Sequence, residues 1–187
     1  AIKEWGMDIV NPVSLIQRPK NGKPRWRRIS HHEFQQITQA VWHGRQGGLI
    51  PLMFELAIET GMRLGELCNL TWEHVYADYV HLPITKNGSS RDVPLSVRAE
   101  EILRSVPRRD IRVFPVNKEA LGAQFRRKLQ ELGIHNLHFH DTRHEAATRL
   151  SKYLTVLELA AVLGHRDLRS TQVYYNPTAS ELAKKIR

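Results

Sequence analysis

One cysteine in 187 residues, Cys68, leaves no partner for an intrachain disulfide. That excludes a secreted disulfide scaffold, multi-cysteine zinc modules and cysteine-ligated iron–sulfur clusters. Long apolar runs are missing as well. The longest, Leu49 to Phe54, falls far short of the roughly 20 residues a spanning helix needs. No basic-then-apolar leader layout opens the chain. The expectation is a soluble, cytoplasmic protein with no membrane partner.

Nucleotide and metal motifs are absent too. There is no Gly-x-Gly-x-x-Gly and no Walker-type loop. His135, His138, His140 and His144 crowd together, but His144-Glu145-Ala-Ala-Thr148 lacks the second histidine of a His-Glu-x-x-His motif. No acidic residues are spaced as a calcium loop, so no metal is expected.

Acid is scarce relative to base. Asp plus Glu is 19 against 28 for Lys plus Arg, a net charge of +9. Such a surface favours polyanions. Apolar content of 41% and charged content of 25% are ordinary for one globular domain with a real core.

Charge is concentrated at the start. Residues 1–30 hold seven Lys and Arg against Glu4 and Asp8, a net +5. Arg18-Pro-Lys-Asn-Gly-Lys-Pro-Arg25 has two prolines and a glycine and cannot be a packed element. It reads as a linker, either solvated or lying along phosphates. A domain then opens at Ser30, where Ser30-His-His-Glu33 is a capping box. Phe34, Ile37 and Val41 share one helical face after it.

A second helix is expected from about Pro51 to Thr60, with Gly61 past its end, and a short one from Arg63 to Leu70. The period then changes. Val75-Tyr76, Tyr79–Leu82 and Arg91–Leu95, with Asn87-Gly88 in the last connection, predict an antiparallel sheet of about three strands. Lys86 lies next to that hairpin turn. Further helices are expected near 96–105, 117–132, 140–152, 155–163 and 168–174, with a tail helix near 179–186. Gly133 and Gly164 sit where helices should stop. The fold class is mainly α with a small antiparallel β-sheet, α+β.

Singly, the polar residues are unremarkable: Arg63 and Glu66 make an i,i+3 pair, and His140 and Arg143 share a helical face. Together, Arg63, Lys86, His140, Arg143, His165 and Tyr174 supply two guanidiniums, an ammonium, two imidazoles and a phenol, with no acid. That is a site for an oxyanion. Arginines clamp phosphate bidentately, and preorganised cations favour a phosphorane that carries more charge than its ground state.

The series Thr60-Gly-Met-Arg63-Leu-Gly-Glu66, hairpin Lys86, His140-x-x-Arg143, Leu163-Gly-His165 and Thr171-x-x-Tyr174 resembles the catalytic domain of the tyrosine recombinases, in their phage-integrase branch. The likeness runs from about Ile29 to Arg187. It implies that residues 1–29 are the end of a preceding domain plus a basic interdomain linker, and that 30–177 are a catalytic domain. Residues 178–187 would be a tail helix, packed on its own domain or, as the resemblance implies, docked on a neighbouring subunit.

The resemblance also implies roles. Tyr174 would attack the scissile phosphate and form a 3′-phosphotyrosyl bond. Spacing from His165 selects it over Tyr175. Arg63 and Arg143 would hold the non-bridging oxygens, with a further hydrogen bond from His165. Lys86 would protonate the leaving 5′-oxygen, and His140 would assist proton movement at the tyrosine or support the phosphate. Glu66 would orient Arg63, and the remaining histidines would be surface or core residues. No cofactor is implied.

The implied function is site-specific cleavage and rejoining of double-stranded DNA, for integration and excision, at attachment or core sites. The chain would self-associate as a dimer or tetramer on DNA, with accessory DNA-bending proteins as further partners. The alternatives are a type IB topoisomerase-like enzyme and a non-catalytic DNA-binding regulator.

Overall fold

Local capping sets most of the helices. Ser30 Oγ accepts from the Glu33 N–H at 3.2 Å while Glu33 Oε2 accepts from the Ser30 N–H at 2.9 Å, closing the expected box. Thr155 with Glu158 closes a second box, and the Ser96 and Asn117 side chains each accept a backbone N–H at the start of a later helix. Gly61 and Gly164 end two helices with φ of 67° and 66°, in the left-handed region.

The computed structural model describes residues 2–6, 16–17, 25, 27–44, 47–83, 90–175 and 183. Lys86 and the tail helix expected near 179–186 therefore fall outside the described residues, apart from a helical position 183. The helices are α1 (Ile2–Trp5), α2 (His31–Gln39), α3 (Leu49–Thr60), α4 (Leu64–Asn69), α5 (Val97–Ser105), α6 (Lys118–Glu131), α7 (Asp141–Leu150), α8 (Val156–Leu163) and α9 (Arg169–Gln172). A 3-10 turn covers Trp72–His74. Strands β1 (Tyr79–Leu82) and β2 (Arg91–Pro94) pair antiparallel, with Val80 opposite Val93 and Leu82 opposite Arg91.

Helix α3 is apolar almost all round, so it must be covered on every side. It packs against α2, α5 and α7. Around it Phe54, Phe125 and Phe139 form an aromatic cluster, with ring centroids 5.4 to 6.3 Å apart. Each buried ring contributes on the order of 1.5–3 kcal/mol relative to exposure. A smaller cluster of Ala147, Leu159 and Leu163 joins α7 to α8, and the ring of Tyr174 packs against it.

Two sequence expectations change. Among the described residues the sheet has two strands rather than about three. Val75 makes only an isolated bridge to Val80, and the Tyr76 N–H bonds to the Tyr79 carbonyl at 2.9 Å. The turn at Ala77-Asp78 follows the 3-10 turn so closely that no second ladder pair can form. Val41 is 70% exposed because α2 stops at Gln39 and the chain leaves the helical face; Trp42 stacks on Phe125 instead. Among the described residues, no helix is long and apolar enough to cross a membrane.

Candidate active site

Arg63 follows the left-handed Gly61 and Met62 and has extended backbone at the start of α4. Its own N–H donates to Glu66 Oε2 at 2.7 Å, and its Nη1 donates to Glu66 Oε1 at 2.9 Å. The i,i+3 pair thus fixes both the helix start and the guanidinium. Its side chain is partly exposed, which leaves the other face of the fork open.

Arg143 sits in the first turn of α7 and is buried. Its Nη1 donates to the Gly61 carbonyl at 2.7 Å, and its Nη2 donates to the Leu163 carbonyl. Those carbonyls lie at the C-terminal ends of α3 and α8, where helix dipoles are negative. The cation is therefore held by two helix ends, and among the described residues no carboxylate forms an ion pair with it. Burial lowers its pKa to about 9, helped by the nearby charges of Arg63 and Arg91. A buried cation of this kind is a receptor for an anion.

His165 is placed by the end of α8. Gly164 turns left-handed, and the His165 N–H reaches back to the Ala160 carbonyl at 2.9 Å. Its Nδ1 lies 2.8 Å from the buried Thr171 hydroxyl. When Thr171 donates to Nδ1, Nε2 carries the proton and can donate outward. Burial, then Arg143, Arg63 and Arg91, lower the His165 pKa to about 4, so the ring is neutral near pH 7.

Tyr174 comes just after α9, its N–H bonded to the Thr171 carbonyl at 3.0 Å. Thr171 thus serves both the histidine and the tyrosine. The Tyr174 hydroxyl meets Nδ1 of His144. Burial raises the phenol pKa, with Arg143 pulling the other way. His140 is at the surface at the start of α7, its ring edge-on to that of His144 with centroids 5.6 Å apart. Desolvation by the surrounding protein, then His144 and Arg143, lower its pKa.

Arg63, His140, Arg143, His165 and Tyr174 thus converge, each close enough to enter the electrostatics of another. Lys86 lies outside the described residues, between strands that are described. A cleft of about 600 Å3 lies beside Arg63, lined also by Glu66, His74 and His81. Two guanidiniums beside a phenol suit a phosphodiester backbone and phosphoryl transfer.

The family model described as the phage integrase family matches residues 27–181. The chain belongs to the phage integrase family, the tyrosine recombinases. A shufflon-specific DNA recombinase of Escherichia coli is 38% identical over 188 residues, covering 98% of this chain and 48% of the relative. A putative integrase/recombinase of Haemophilus influenzae is 39% identical, covering 95% of this chain and 52% of the relative. The chain thus spans about half the length of the curated relatives it matches. In fold it is similar to a lambda integrase dimer bound to a COC′ core site, with TM-score 0.70, 22% identity, and coverage of 89% of this chain and 52% of that one. It is also similar to XerA recombinase, with TM-score 0.63, 22% identity, and coverage of 95% and 68%.

Within this integrase domain, sequence reasoning missed three things. His144, by sequence one of the surface or core histidines, meets Tyr174. Its signal was position, one turn past His140 on the same face. Arg91 was not singled out, yet its Nη1 and Nη2 donate to Glu66 at 2.8 and 2.7 Å. Strand alternation carried that signal, since Arg91 shares the inward face of Val93. Finally, the three described arginines just before α2, Arg25, Arg27 and Arg28, pair with carboxylates. Arg25 holds Asp141 at 2.7 and 2.8 Å, Arg28 holds Glu145 at 2.8 and 3.2 Å, and Arg27 holds Glu33. Among the described residues, no three His, Cys, Asp or Glu side chains meet in a way that could hold a metal ion.

Proposed function

We propose that the chain is the catalytic part of a site-specific DNA recombinase that cuts and rejoins strands through a 3′-phosphotyrosyl intermediate. The observation that carries this reading is Arg143: a buried guanidinium tied, among the described residues, to helix-end carbonyls, beside Arg63, with the Tyr174 phenol in its field. Such a pair binds the two non-bridging oxygens of one phosphate. Tyr174 Oη attacks phosphorus, the P–O5′ bond breaks, and the 5′-oxygen takes a proton from Lys86. One phosphodiester becomes one phosphotyrosyl ester, so the step is near isoenergetic and its reverse rejoins the strand. His165 donates to the phosphate through Nε2, and His140 supports the phosphate at the mouth. Glu66 aims Arg63.

The substrate is double-stranded DNA at attachment or core sites, in the cytoplasm of a bacterial host, and the outcome is integration and excision. Solved relatives in fold include a lambda integrase dimer on a core site and a lambda integrase tetramer on a Holliday junction. They support self-association on DNA. In this reading the segment after 177 docks on a neighbour and residues 1–29 join a preceding domain. DNA-bending proteins would act as accessories.

The test is a pool of nicked duplexes with randomised sequence, incubated with the 187-residue chain and quenched in denaturant. A covalent protein–DNA adduct without added metal or ATP supports the reading. Absence of any adduct, with duplex binding intact, refutes it. Efficient relaxation of any supercoiled plasmid, with no sequence enriched among the adducts, would move the assignment to a topoisomerase.

A further inference from the structure

We infer that His144 is the proton acceptor that activates Tyr174. This rests on the reading above that Tyr174 is the nucleophile, and it adds a catalytic residue to that reaction.

The geometry is direct. His144 Nδ1 meets the Tyr174 hydroxyl, with ring centroids 5.9 Å apart. In the tautomer with the proton on Nε2, Nδ1 accepts the phenol's hydrogen bond. Adjacent positions on a helix point about 100° apart. Arg143 therefore reaches the carbonyls of Gly61 and Leu163 while His144 reaches the tyrosine. One turn of α7 thus presents the phosphate-binding cation and the base together. The Tyr174 ring packs against Ala147, Leu159 and Leu163, which holds it beside α7.

The chemistry requires such a group. A phenol with its ordinary pKa near 10 is only about one part in a thousand ionised at pH 7. Burial at Tyr174 makes ionisation harder. A neutral imidazole in contact with the hydroxyl removes that barrier. His144 is surrounded by Tyr174, His140, Arg143, Asp141, Arg25 and His165. Burial leads and Arg143 and Arg25 add to it, against Asp141, so its pKa is lowered and the ring is neutral near pH 7. In cleavage the hydroxyl proton passes to Nδ1 as the Oη–P bond forms and the P–O5′ bond breaks. In rejoining, the 5′-hydroxyl attacks, the phenolate leaves, and the imidazolium returns the proton. His140, edge-on and exposed, is the next group towards water.

The experiment uses the full chain and a nicked duplex whose bridging 5′-oxygen is replaced by sulfur. A thiolate leaves without a proton donor, so the rate reports activation of the nucleophile alone. The wild-type adduct rate should level off by neutral pH. His144→Gln keeps a hydrogen bond to Tyr174 but cannot take its proton. It should melt like the wild type, cleave roughly 10²–10⁴-fold more slowly at pH 7, and gain about tenfold per pH unit as the phenol ionises directly. His144→Ala should behave likewise and recover in part with added imidazole. A wild-type pH profile in His144→Gln overturns the proposal while leaving the function standing. So does restoration of its rate by the sulfur leaving group, which would mark His144 as an acid. A wild-type chain that forms no adduct overturns both.

Discussion

Arg91 closes on Glu66 with both guanidinium nitrogens, at 2.8 and 2.7 Å, and both side chains are only 7% exposed. Its Nε donates to the Val162 carbonyl at 2.9 Å. One residue of β2 is thus tied to the carboxylate that orients Arg63 and to the end of α8, just before His165. Breaking a buried pair leaves a charge unpaired and costs about 3–5 kcal/mol. Glu66 keeps its bonds from Arg63 when Arg91 is lost, so Arg91→Met should cost less than that, about 1–3 kcal/mol in urea unfolding. A loss below about 1 kcal/mol would mean the pair is solvated after all.

Acid should unfold the chain through its glutamates. Burial alone would raise the carboxyls of Glu66 and Glu145. Hydrogen bonds from Arg91 and Arg63 in one case, and from Arg28 and Arg149 in the other, override it and hold each at about 2. Arg27 holds Glu33 at about 2 as well. A folded-state pKa below the unfolded value contributes stability above the ordinary carboxylate range, lost as pH falls through the folded value. Melting temperature should be flat from pH 7 to about 5, then drop towards pH 2. Glu66→Gln should start lower and drop less.

Arg143 should behave in the opposite sense. Its pKa is depressed to about 9, so the charged form is penalised in the fold at neutral pH. A bound anion relieves that penalty. Sulfate should raise the wild-type melting temperature more than that of Arg143→Met, in scans at matched ionic strength. The substitution should change stability by about 1 kcal/mol or less, below the cost at Arg91. It should cut adduct formation by roughly 10² or more, the scale of losing one oxyanion donor. Non-specific DNA affinity should barely change. An equal sulfate shift in both proteins would contradict the role given to Arg143.

Arg25 and Arg28 should matter to stability more than to DNA affinity. Arg25 and Arg28 strap Asp141 and Glu145, i,i+4 neighbours on the helix that carries Arg143. Both carboxylates are buried. Arg28→Ala should cost about 1–3 kcal/mol, with Arg149 retaining part of Glu145. The slope of log affinity against log salt for duplex DNA should fall by less than one counterion. A loss near the full value of about 0.9 per phosphate would mean that Arg28 trades its carboxylate for DNA.

Local chemistry was readable from the sequence, and long-range pairing was not. Caps at Ser30, Ser96, Asn117 and Thr155, and stops at Gly61 and Gly164, each depend on neighbours within four residues. The helices therefore fall close to their expected places. Arg63, His140, Arg143, His165 and Tyr174 sit at or near helix ends, and the family pattern marks each of them by its local motif. Val75 misled because β-branched runs signal strands whether or not a partner is in reach. Arg25–Asp141 and Arg28–Glu145 cross more than a hundred residues, and no local period encodes them. His144 was hidden by its ordinariness, since only the position of α9 reveals what it touches.

The most direct test is the identity of the amino acid joined to DNA. Adducts trapped on nicked duplexes are digested with protease and nuclease, and the nucleotide-bearing peptide is sequenced by mass spectrometry. The expected result is the nucleotide on Tyr174 and no adduct from Tyr174→Phe. A modified Tyr175, or an adduct that survives Tyr174→Phe undiminished, would contradict it.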